Sequence, residues 1–332
     1  DPDRLRGRNL VAHPRRQKIR TDEDGSLWWG CGNRIHSNSE GEAKMKALRI
    51  LIAIGRNTFT ELVRQRVFFF LLIFALLVIG NSAFMARLSF QEQFQMLKDI
   101  SLGAMSVFSS MLAILATAGF LPKDMEDRTI YTILAKPVPR WLYLLGKLTG
   151  IFSLLAVAVL LMAALFLGVL WMQESSVLAE TRAHLQNASA EELAMALKEV
   201  TDSTFQANLI PGIIVIFLKA ALLASLTLFI SSFATSSIFT ILMAAAVYFI
   251  GHLQSTARDY WLAGVDPEWW MRLLAAAVAL VFPDLQAFNL TDDIIAGTAV
   301  PMTLFVETAL LGLLYTTVYF TLAAFVFSGR EL

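Results

Sequence analysis

Two ionisable side chains stand where a charge is expensive. Lys219 lies inside the apolar run Leu209–Phe233, and Glu307 lies about one turn into the run Thr303–Phe327. A lysine or an acid at the middle of a hydrocarbon layer costs about 2.5–3.5 kcal/mol on insertion scales, so each is a functional candidate by default. At the helical rise, Lys219 stands about 15 Å from the start of its run. Two chemistries fit these residues: a polar contact to a substrate in a translocation path, or a Lys–Glu pair that gates it. The structural alternative is a lysine that snorkels or pairs between helices.

Other chemistry finds little footing. Gly146-Lys147-Leu148 lacks the Ser/Thr and the upstream glycine with which a Walker A loop cradles phosphates. There is no His-Glu-x-x-His and no Gly-x-Ser-x-Gly elbow, so no catalytic residue is expected. The single cysteine, Cys31, excludes an internal disulfide framework, and His13, His36, His184 and His252 set no metal-ligand spacing. Lys+Arg and Asp+Glu balance at 27 each, which leaves no basic excess for nucleic acid. If ATP drives this protein, another polypeptide must hydrolyse it.

The elements that carry these residues are membrane spans. The chain of 332 residues is 56% hydrophobic and only 16% charged, against about 45–50% and about 25% for soluble domains. Six apolar runs reach the roughly 20 residues needed to cross a bilayer: Val67–Met85, Gly103–Leu121, Gly150–Met172, Leu209–Phe233, Ser237–Leu253 and Thr303–Phe327. A shorter run, Met271–Phe282, is closed by Pro283 and reads as a re-entrant or interfacial helix before the sixth span. The fold class is therefore all-α and polytopic. Basic residues concentrate in 45–66 and 122–149, whereas acids such as Glu191, Glu192, Asp292 and Asp293 mark the opposite loops. The positive-inside rule then sets both termini in the cytoplasm, and the expected location is a bacterial cytoplasmic (inner) membrane.

Residues 1–44 are polar and without periodicity, and Met45-Lys46-Ala47-Leu48 reads as a natural start. A disordered tail is expected there, left by upstream translation or a fragment artefact. Residues 45–66 follow a helical pattern, with Leu48, Leu51, Ile52, Gly55, Phe59, Leu62 and Val63 on one face. Lys46, Arg49, Arg56 and Arg64 lie on the other. A basic amphipathic helix ahead of a span should lie in the membrane interface, in contact with lipid. The outer loop 173–208 predicts two short helices, the second opened by the capping box Ser189-Ala190-Glu191-Glu192. Residues 67–332 then form a six-span domain.

The loop 122–149 is the most informative stretch. Glu126 to Ala135 reads as a short cytoplasmic helix with acids at its start. Lys136-Pro137 stops it, and Pro139 suits the first turn of the next helix. Ile130, Ile133 and Leu134 give it an apolar side that needs a partner. This stretch resembles the signature of ABC-2 type permeases, the membrane subunits of ABC exporters. The likeness is carried by Glu126, Thr129, Leu134, Pro137, Arg140, Leu144, Gly146 and Lys147, with Thr60-Glu61-x-x-Arg64 on the preceding helix. It covers roughly Met45 to Leu332.

The resemblance implies a half-transporter that exports a substrate using ATP hydrolysed on a separate nucleotide-binding subunit. That subunit would hold the ATP and magnesium, so no cofactor is expected on this chain. It also implies a second permease subunit, and a loop helix (Glu126, Thr129, Ile130, Ile133, Leu134, Pro137, Arg140) that docks on the ATPase, with Glu61 and Arg64 on the interfacial helix. The rival readings are a secondary transporter, which would need coupled acids and broken helices, and a membrane assembly or maturation factor.

Overall fold

The structure, a computed structural model, describes residues 29–88, 93–126, 139–185, 189–204, 208–263, 269–270, 273, 282–289 and 301–329. The chain divides into two units, residues 1–47 and 48–332. The first contributes the opening turns of helix α1, Trp29–Val63. The helix therefore starts upstream of the boundary expected at residue 45. The stretch Glu40-Gly41-Glu42-Ala43-Lys44 supplies a reason, since glutamate, alanine and lysine are good helix formers. The expectation of disorder over 1–28 lies outside the described residues.

In the second unit the described secondary structure is helical, and six helices are long and apolar enough to cross a membrane. They are carried by α2 (Arg66–Leu88), α3 (Gln93–Ala118), α5 (Arg140–His184), α7 (Leu209–Phe233), α8 (Ser237–Ala263) and α9 (Met302–Gly329). Helix α4 (Phe120–Glu126) continues α3 after an interruption at Gly119. Pro122 sits in the first turn of α4, where a missing backbone N–H costs nothing.

Helix α7 is the centre. It is apolar on every side, the pattern of a helix with no water-facing stripe, and it packs on α3, α5, α8 and α9. Ala220, Ala221, Ala224, Ser225, Ser231 and Ser232 along it are buried. Small side chains let helix backbones approach where lipid offers no hydrophobic drive between helices. Three of its hydroxyls are satisfied within the helix: Ser225 donates to the Leu222 carbonyl, Thr227 to the Leu223 carbonyl and Ser232 to the Phe229 carbonyl, each at 2.7 Å. The buried Ser231 hydroxyl has no partner among the described residues. Lipid-compatible surfaces point outward, with Phe70, Leu77, Leu160, Leu242, Phe249, Leu314 and Phe325 all exposed.

Several helices outrun the apolar runs read from the sequence: α3 starts at Gln93 rather than Gly103, and α8 ends at Ala263 rather than Leu253. Helix α5 runs for 45 residues, about 67 Å at the helical rise and roughly twice a hydrocarbon core. The first of the two outer helices expected in 173–208 is therefore a continuation of the third span. Val177-Leu178-Ala179-Glu180 holds no helix breaker, so nothing stops the helix at the bilayer edge. The second is α6, Ala190–Thr204, which packs back on α5. Its capping box forms as expected: the Ser189 N–H donates to Glu192 Oε2 at 3.0 Å, and the Glu192 N–H donates to Ser189 Oγ at 3.3 Å. At the other end of α6, buried Lys98 donates from Nζ to the Ser203 carbonyl at 2.7 Å. That places a cation on the negative end of the helix.

The expected helix Met271–Phe282 lies largely outside the described residues. The segment that follows it is described. Leu285 and Phe288 are buried, and the Leu285 N–H donates to the Gly251 carbonyl at 3.0 Å. A Cβ on Gly251 would come within 2.8 Å of Leu285, and one on Gly312 within 3.0 Å of Phe288. These two glycines let the segment lie directly on α8 and α9.

Candidate functional site

The residues flanking 127–138 are held by four kinds of contact. On the α4 side, Lys123 Nζ pairs with Glu61 Oε1 of α1 at 3.0 Å. Next to it, Asp124 Oδ2 pairs with Lys147 Nζ of α5 at 2.8 Å, with both side chains nearly excluded from solvent. The Tyr143 hydroxyl donates to the same Asp124 oxygen. The Lys147 ammonium lies 4.6 Å from the centre of the Phe120 ring, so its uncommitted side meets a π-face. On the α5 side, Arg140 Nη1 donates to the carbonyls of Ser328 at 2.9 Å and Phe327 at 3.4 Å. A guanidinium on the last carbonyls of α9 satisfies groups that the helix leaves open and complements its dipole. Tyr143 stacks on Phe327 with ring centres 6.3 Å apart.

Helix α1 meets the start of α5 at very short range. A Cβ on Gly146 would come within 2.8 Å of Ile54, and one on Gly150 within 2.7 Å of both the Gly55 carbonyl and Thr58 Cβ. Gly146-x-x-x-Gly150 is thus a small-residue face that seats α1 backbone to backbone. Two arms therefore bracket 127–138. One is tied to α1 and α5, the other to α9.

Glu126 is the last residue of α4, whereas the sequence pattern put it at the start of the next helix. Thr129, Ile130, Ile133, Leu134 and Pro137 lie outside the described residues. Arg140 opens α5 as described, with Pro139 at the N-cap. Glu61 is engaged by Lys123, and Arg64 is exposed in the turn just after α1.

Of the readings open for Lys219 and Glu307 within the membrane domain, the gating Lys–Glu pair is not made. Glu307 is exposed on α9. Lys219 is 3% exposed and its Nζ lies 3.0 Å from His252 Nε2 of α8 and 3.2 Å from Ser106 Oγ of α3. His252 Nδ1 lies 3.0 Å from the Tyr248 carbonyl. A carbonyl only accepts, so Nδ1 carries the proton and Nε2 is free to accept from the ammonium. The lysine thus joins three helices through neutral partners. Among the described residues no group of three or more His, Cys, Asp or Glu could hold a metal ion.

Sequence reasoning missed Asp124, Tyr143 and His252, and it named Lys147 in the family signature without its partner. The signal for His252 was present, because it is ionisable and sits inside the expected fifth span. Asp124 carried only the weaker signal of a charge flanking a span.

Helices of this length and composition make the chain a multi-pass membrane protein. No curated protein matches it closely enough to count as a relative. The family model described as ABC-2 family transporter protein matches residues 52–332. That stretch takes in part of α1 and everything from α2 onward, both arms and the buried lysine included, and the chain belongs to the ABC-2 transporter family.

Proposed function

We propose that the chain is the permease subunit of an ATP-binding cassette exporter. A separate nucleotide-binding subunit supplies the hydrolysis of ATP with magnesium, and a second permease subunit completes the transporter in a bacterial inner membrane with both termini cytoplasmic. The observation that carries this reading is the double bracing around 127–138. A loop that only connects two spans needs no buried ion pair at one end and no guanidinium clamp on a distant helix at the other. A loop that receives force from a partner does, because displacement must reach α1, α5 and α9 together.

In this reading Ile130, Ile133 and Leu134 meet the ATPase. Glu126, Thr129 and Pro137 shape the contact, and Arg140 passes its movement to α9. Lys219 with His252 and Ser106 is a polar step between α3, α7 and α8 beside the substrate path. The test is co-isolation of the ATPase subunit with wild-type membranes and with an Ile133→Ala, Leu134→Ala double variant. Recovery should fall several-fold, since each truncation at a packed contact costs about 1–3 kcal/mol. Undiminished recovery with undiminished transport would leave the loop a connector and end this reading.

A further inference from the structure

Beside the close contact of Gly55 with Gly150, α1 and α5 leave a groove of about 400 Å³. Its walls are Leu51, Ile52 and Phe59 of α1 and Val157 of α5, and the exposed Arg56 lines it as well. Thr149 and Ser153 line it too, but each hydroxyl donates to its own helix, to the Gly146 and Thr149 carbonyls at 2.8 Å. Their oxygens therefore add acceptors rather than donors. Arg56 has no side-chain partner among the described residues and is exposed. Arg49 stands two turns away on the same face of the helix. The nearby acid, Glu61, is already paired with Lys123.

Beyond Val157, the exposed Leu160 and Leu161 add apolar surface along α5. From Thr149 to Leu160 the helix rises about 16 Å, which matches half of a hydrocarbon core about 30 Å thick. An exposed cation beside an apolar surface about one leaflet long suits a single phospholipid. We infer that this groove binds an anionic phospholipid, with its phosphate on Arg56 and one acyl chain along Ile52, Phe59, Val157 and Leu160. A zwitterionic lipid fits less well, because its own cation would be set against Arg56 and Arg49. The inference does not depend on the transport reading.

The test is native mass spectrometry of the full chain released from vesicles of equal phosphatidylglycerol and phosphatidylcholine. Wild type should retain phosphatidylglycerol in preference by about fivefold or more, the factor expected for one basic residue near an anionic headgroup. Arg56→Gln should abolish the preference and Arg56→Lys should keep most of it, which separates loss of charge from misfolding. Arg64→Gln, in the turn just after α1, should leave it intact. Val157→Trp fills the groove while keeping Arg56, and should reduce retention of both lipids. The proposal is overturned by any of three results: no preference in wild type, an equal loss in Arg64→Gln and Arg56→Gln, or full lipid retention in Val157→Trp. The second would mean a diffuse basic surface. The last, joined to a change in oligomeric state, would assign the groove to a second copy of the chain.

Discussion

Asp124 accepts from both Lys147 and Tyr143 in a place water hardly reaches. Removing one member of such a set leaves the other charge buried without compensation, at a cost of about 3–5 kcal/mol. Asp124→Ala should therefore lower the melting temperature of the solubilised protein sharply. An Asp124→Leu, Lys147→Met double variant, which removes both charges, should recover most of the loss. A double variant no more stable than Asp124→Ala would show that the pair does not carry this energy. Lys219 gives a second prediction at this scale. Its near-complete burial means that a lipid-soluble photolabel should leave position 219 unmarked while labelling Phe249, which is 64% exposed. Comparable labelling at both positions would place Lys219 in lipid.

Helix α5 carries an internal comparison between two kinds of glycine. A side chain on Gly150 would collide with the Gly55 backbone of α1, whereas Gly168 has nothing within 4 Å of the position a Cβ would occupy. Gly150→Val should destabilise by about 1–3 kcal/mol through overpacking. Gly168→Ala should stay within about 1 kcal/mol of wild type, or stabilise, because alanine is the better helix former. Thermal melting of the two variants measures the contrast. The outer helix α6 offers a local test. Ser189→Ala removes one arm of its capping box, worth about 0.5–2 kcal/mol of helix stability. Hydrogen exchange should then quicken in the first turn of α6 and leave α5 unchanged.

Across the whole molecule, Arg140 bonded to the last carbonyls of α9 means that the start of α5 and the end of α9 share one side of the membrane. The capped start of α6 lies beyond the far end of α5. Single cysteines in a Cys31-free background should respect that division. Under impermeant labelling of intact cells, Thr129→Cys and Ser328→Cys should remain unlabelled and Ser189→Cys should react. Reaction of Thr129→Cys and Ser189→Cys from the same side would break the topology.

The positions of the spans were legible in the sequence because crossing a membrane is a local property. It needs only about 20 consecutive residues whose transfer energies sum favourably, and Leu209–Phe233 has the same limits as a run of letters and as a helix. The capping box was legible for the same reason, since its partners are three residues apart. What a buried charge touches was not. Lys219 and Glu307 are both ionisable and both intramembrane, yet one faces His252 and Ser106 while the other faces outward. That choice depends on how each helix is rotated about its axis. Rotation is decided by small residues meeting across long stretches of chain, as Gly55 meets Gly150 and Gly251 meets Leu285. The length of α5 drew on both, since Val177-Leu178-Ala179-Glu180 holds no helix breaker and α6 packs back on the residues beyond the apolar run. Apolar runs chose the spans, and only the packing of one helix on another chose their partners.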